Sequence, residues 1–210
     1  MRIPVRRSGK KAGAPPETLI HLGEERTTPV KITRIRYNEI DFLEERGIDV
    51  EKLKKDIMDY PCEWVNFDGI HDVSMVEQIG AHYGIDMLVL EDIVNSSQRP
   101  KIEDYDDFTY IVVRMIIYNK KKREVESEQV SLILQGNRLL SFQEKEVDDF
   151  EPIRERIRRK KGRVHRSGID FLCYSIIDFI IDNYFIVLES IGERIDSLED
   201  EVLTDPDEKT

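Results

Sequence analysis

Glu91 and Asp92 stand side by side in an otherwise apolar run of Leu88, Val89, Leu90, Ile93 and Val94. Consecutive helical residues diverge by about 100°, so on one reading an acid faces water while the leucines face the core. On the other, the pair is a hard-cation site. Mg2+ takes oxygen ligands, keeps much of its water and often needs only one or two protein carboxylates. Asp92 taken with Asp104, Asp106 and Asp107 would suit a two-metal hydrolase, but no glycine-rich phosphate loop and no HExxH pair accompanies them. The histidines His21, His71, His82 and His165 are scattered. Only His71 and His82, flanking one helix, could offer a transition metal such as Co2+ a pair of ligands, and their spacing reads more simply as turn or surface histidine.

The elements that must position the two acids are legible nearby. Trp64 to Phe67 reads as a half-buried strand ending at Asp68 and Gly69. Asp72 is placed to cap a helix from Val73, with Val76, Ile79 and Tyr83 at helical spacing and Gly84 as its left-handed end. Asp86 caps a second, shorter helix, Met87 to Asn95, which carries the acids and stops before Gln98, Arg99 and Pro100.

Upstream, Thr18 to Leu22 and Val30 to Tyr37 alternate as a pair of strands. Asn38 to Gly47 and Val50 to Tyr60 read as helices, the second ended by Pro61. Downstream, Phe108 to Tyr118 is apolar on both faces and reads as a central strand. Asn119 to Arg123 turns the chain into Glu124 to Gln135, whose alternation slips phase near Gln129 as a bulge would. Gly136 and Asn137 make a hairpin turn into Arg138 to Gln143. Phe150 to Lys161 is a short helix with a stripe of Phe150, Ile153 and Ile157. Ser167 to Leu203 is one long helix with a three-four stripe of Tyr174, Ile177, Ile181, Tyr184, Leu188, Ile191, Ile195, Leu198 and Val202. At 1.5 Å per residue it is about 50 Å long, so the short helix before it covers only its first half. The fold class is α/β (α+β): a mixed sheet of about six or seven strands layered between helices, with a helical extension. The expected division is a basic tail over 1–17, an α/β domain over 18–147 and the extension over 148–210.

Composition bounds the partners. The 210 residues carry a net charge of −11, which disfavours a general nucleic-acid binder. The basic block at 154–166 has no interleaved aromatic and reads as a salt-bridged or solvated helix end. Two cysteines, Cys62 and Cys173, make no disulfide framework. No run approaches the roughly 20 uninterrupted apolar residues of a membrane span, since Asp178, Asp182 and Asn183 interrupt Ile176 to Leu188.

Five ordered blocks carry a resemblance: LVLEDIVN at 88–95, QRPKIEDY at 98–105, SEQVSLIL at 127–134, LLSFQEK at 139–145 and IIDFIIDNYF at 176–185. Together they resemble the cytoplasmic domain of CorA magnesium and cobalt transport proteins over roughly residues 15–205. The resemblance implies a non-enzymatic regulatory domain at the cytoplasmic face of the cell membrane, in a homopentamer, sensing Mg2+, with Co2+ as a second candidate ion, at subunit interfaces to gate ion uptake. It assigns Asp92 first, Glu91 second and Asp178, from the opposing surface, to the metal, with Asp182 one turn further on. It also implies that the segment ends before a stalk helix, the transmembrane helices and the Gly-Met-Asn pore signature, so that membrane attachment lies outside it. A metal-dependent hydrolase and a coiled-coil adaptor are the alternatives from other classes.

Overall fold

The computed structural model describes residues 19–21, 29–55, 60–119, 124–145 and 150–204. The expected basic tail, the end of the Val50 to Tyr60 helix and most of the turn at 119–123 lie outside these residues. Among the described residues seven strands form one sheet: β1 (Lys31–Tyr37), β2 (Phe42–Arg46), β3 (Cys62–Asp68), β4 (Lys101–Asp104), β5 (Thr109–Asn119), β6 (Glu124–Gln135) and β7 (Arg138–Gln143), in the order β2-β1-β3-β7-β6-β5-β4. Only β3 and β7 run parallel; every other neighbouring pair is antiparallel. The expected class, a mixed sheet between helices followed by one long helix, is what forms.

Both faces of the sheet are covered, which is why β3 is apolar on both sides. On one face α1 (Val50–Lys55), α2 (Val73–Tyr83) and α3 (Met87–Val94) pack over Ile32, Val65, Phe67, Tyr110, Ile133 and Leu140. On the other, α4 (Glu151–Arg158) and the first half of α5 (Ile169–Thr204) pack over Ile35, Trp64, Met115, Leu132 and Leu139. Phe150, Ile153 and Ile157 are buried as their spacing predicts. Trp64 Nε1 donates to Ser141 Oγ at 2.8 Å, and that hydroxyl donates to Asn66 Oδ1 at 2.6 Å, so the buried indole and hydroxyl both find partners.

Four expectations are corrected. Asn38 to Gly47 is a hairpin: Asn38 Oδ1 accepts from the amides of Ile40 and Asp41, and β2 returns along β1. Cross-strand pairs decide this, because Glu45 accepts from Arg34 and Arg36. Leu19, Ile20 and His21 form no strand, although Leu19 is buried against the first core. The register of β5 on β6 is unbroken through Gln129, so no bulge exists there. Glu128 and Gln129 are instead both buried, pointing to opposite faces of a strand that is covered on each. Finally β5 is the penultimate strand, since the short β4, not anticipated from the sequence, lies outside it.

The long helix forms, but only part of the expected stripe packs, Ile177 and Tyr184 lying partly buried against the second core. Leu172, Cys173, Ile176, Ile180 and Val187 are buried, whereas Tyr174, Ile181, Leu188, Ile195 and Val202 are exposed. The sheet, not α4, covers its first half. Apolar residues on both sides of that half also give it an 18-residue window of mean hydropathy 1.7. By length and composition it is therefore apolar enough to cross a membrane, even with its acids.

Candidate cation site

The acids sit on α3, and local chemistry fixes that helix at both ends. Asp86 Oδ1 accepts from the Leu88 amide at 2.8 Å, satisfying one of the free N–H groups of the first turn. The preceding α2 is capped by Asp72 and ended by Gly84 at φ 66°, the left-handed conformation that glycine adopts without steric cost. Val89, Leu90, Ile93 and Val94 go into the core, leaving Glu91 and Asp92 half-buried on the rim and Leu88 exposed.

Asp92 is held on three sides. Oδ1 accepts from Gln98 Nε2 and Oδ2 from Lys101 Nζ, each at 2.6 Å, while the side chain keeps 25% of its surface exposed. Its main-chain carbonyl accepts from Gln129 Nε2 at 2.9 Å. The same Gln129 amide accepts from the Gln98 N–H through Oε1 at 3.0 Å. Buried Gln129 on β6 thus ties the end of α3 to the segment that carries Gln98.

Lys101, on the edge strand β4, spans two carboxylates, reaching Glu103 Oε1 at 2.7 Å as well as Asp92. Its ammonium also lies 5.3 Å from the Tyr110 ring centroid. Burial alone would lower the pKa of this group, but hydrogen bonds to Asp92 and Glu103 carry it above its ordinary value. The sequence assigns none of Lys101, Gln98, Glu103 and Gln129 to the site. All four lie within the blocks 98–105 and 127–134, but only the strand β4 and the register of β6 bring them to Asp92.

Asp178 lies elsewhere. It is exposed on α5, accepting from Tyr174 Oη at 3.4 Å, and α5 covers the face of the sheet opposite α3. Asp182 is likewise exposed. Glu91 and Asp92 are neighbours in sequence on α3, and within one chain the sheet separates that helix from Asp178. Asp104 accepts from Thr109 Oγ1, and Asp106 and Asp107 are exposed in the turn before β5. His82 packs its ring against Tyr83.

Among the described residues no group of three or more His, Cys, Asp or Glu side chains is placed to hold a metal ion. At this site the described residues offer two adjoining carboxylates, and an ammonium already sits against one of them. That donor set fits a hard, largely hydrated divalent ion and suits neither the four-ligand shell of Zn2+ nor the oxygen cage of Ca2+.

Known proteins can be set beside this geometry. The family model described as CorA-like Mg2+ transporter protein matches residues 62–210. The Cobalt/magnesium transport protein CorA of Thermotoga maritima is 43% identical over 205 residues, 98% of this chain and 58% of that protein's length. The Putative metal ion transporter YfjQ of Bacillus subtilis is 27% identical over 156 residues, 74% of this chain and 46% of its own length. The chain therefore spans about half the length of these relatives. In fold, the soluble domain of CorA from Methanocaldococcus jannaschii superposes with a TM-score of 0.65 at 20% identity, covering 85% of this chain and 66% of the other.

Proposed function

Because the chain belongs to the family of CorA-like Mg2+ transporter proteins, we propose that it is the cytoplasmic regulatory part of a divalent-cation (Mg2+/Co2+) transporter, in which Mg2+ held between subunits controls ion uptake. It acts as a sensor and not as an enzyme, and residues 18–147 and 148–210 serve as its sensing domain and helical extension. The observation that carries this reading is the separation of the acids. Glu91 and Asp92 lie on one side of the sheet and Asp178 on the other, so an ion touching both sets must lie between two chains.

The physics is that of a bridged repulsion. Two carboxylates facing each other across an interface at 4 Å repel by about 4 kcal/mol at an effective dielectric near 20, and a divalent ion reverses that sign. At high internal Mg2+ the bridged state holds neighbouring subunits together and the pathway closed. At low Mg2+ the ion leaves and the interface loosens. In this reading the assembly is a homopentamer at the cytoplasmic face of the membrane. Asp92 is the principal ligand, Glu91 assists, and the neighbouring chain supplies Asp178.

Sedimentation velocity with and without Mg2+ tests it. Mg2+ should drive association, and Asp92→Asn and Asp178→Asn should each suppress that response. Association indifferent to Mg2+ would refute the sensor and favour an adaptor that uses the exposed stripe of α5.

A further inference from the structure

Resting on the reading of Asp92 as a metal carboxylate, we infer that Lys101 is a tethered counter-cation which competes with the divalent ion for Asp92 and so sets the affinity of the site. An ammonium nitrogen 2.6 Å from Asp92 Oδ2 occupies the space that a metal bound to that oxygen, at about 2.0–2.1 Å for Mg2+, would need. Gln98 takes the other oxygen at 2.6 Å, so a cation approaching the carboxylate meets both partners. Lys101 is the one that repels it.

The exchange is built to be easy. Glu103 Oε1 lies 2.7 Å from the same ammonium, so Lys101 can leave Asp92 and remain paired. The Tyr110 ring at 5.3 Å stabilises the cation in either seat, because the face of an aromatic ring attracts positive charge. A divalent ion outbids the lysine by its second charge, whereas a monovalent ion has no such advantage. The tether thus raises the concentration at which the site fills and biases it towards divalent ions. A merely structural ion pair on an edge strand would do neither.

The experiment is Mn2+ binding to the full chain, read from the electron paramagnetic resonance of the free aquo ion, with Mg2+ as competitor. Each variant is measured with and without Asp92→Asn, so that binding to other surface acids is subtracted. Lys101→Met should tighten the Asp92-dependent binding about threefold to fivefold, the range that a partly exposed ion pair reaches. Lys101→Arg keeps the charge and should stay within about twofold of the parent. Glu103→Gln removes the alternative seat and should weaken binding. If Asp92→Asn weakens binding but Lys101→Met does not tighten it and Glu103→Gln has no effect, the site stands and the counter-cation is refuted. If Asp92→Asn changes nothing, or no variant binds, the reading of the site fails and the counter-cation with it.

Discussion

Gln129 Nε2 donates to the carbonyl of Asp92 at 2.9 Å across 37 residues of sequence, while Gln129 Oε1 accepts from the amide of Gln98. One buried side chain therefore places both the carboxylate and one of its donors. Replacing it with leucine leaves a carbonyl and an amide without this partner, at a cost of about 1–3 kcal/mol. Gln129→Leu should lower the urea midpoint by that cost divided by the slope, with the slope itself unchanged.

Gly80 decides how closely α2 and α3 approach. A Cβ at that position would run into Leu90 Cδ1, and Leu90 is 1% exposed, so it has little room to retreat. In an open helix Gly→Ala gains about 1 kcal/mol; here overpacking should outweigh it and leave a net loss of about 1–2 kcal/mol. Thermal unfolding of Gly80→Ala, Leu90→Ala and the double variant checks this. The double variant should be more stable than the sum of the single losses, because the smaller residue at 90 makes room for the methyl.

What the sequence discloses about this site follows from the range of the forces involved. The caps at Asp72 and Asp86 bond to amides two or three residues away, so α2 and α3 are written locally and were legible. β2 was misread as a helix because Phe42–Arg46 is held by partners on β1, among them Arg34 and Arg36. β4 escaped notice because four residues are too few for alternation to register. Adjoining acids marked Glu91 and Asp92 as a candidate pair. The cation beside them arrives only when β4 folds back against β5.

On α5 the same limit has a measurable consequence. Its first half is apolar on both sides, so periodicity alone could not say which face the sheet would take. Ile180 is 1% exposed and Phe185 60% exposed. Ile180→Ala should cost about 2–4 kcal/mol through lost burial and the cavity left behind. Phe185→Ser should stay within about 0.5 kcal/mol in the single chain. Urea unfolding of the two variants distinguishes the packed face from the free one. Equal losses would mean that the face carrying Ile180 is not the one packed on the sheet.

Glu45 gives the fold a defined acid limit. Its Oε2 accepts from Arg34 Nη2 at 2.6 Å and Arg36 Nη2 at 2.9 Å, and Oε1 meets Lys52 Nζ at 2.7 Å. Burial alone would raise the carboxyl's pKa, but hydrogen bonds from Lys52 and Arg34, with their charges, bring it down from 4.5 to about 2. A folded-state pKa below the unfolded one means that the unfolded chain binds the proton more readily. The stabilisation is therefore complete above the unfolded value of about 4.5 and is lost as pH falls towards 2. Glu45→Gln should cost about 3 kcal/mol near neutrality, as removal of one partner from a buried ion pair does. The gap between parent and variant should narrow steadily from pH 4.5 to pH 2, measured as the urea midpoint at each step. A gap that stays constant through that window would show that the folded protein does not hold this carboxyl's pKa below its unfolded value.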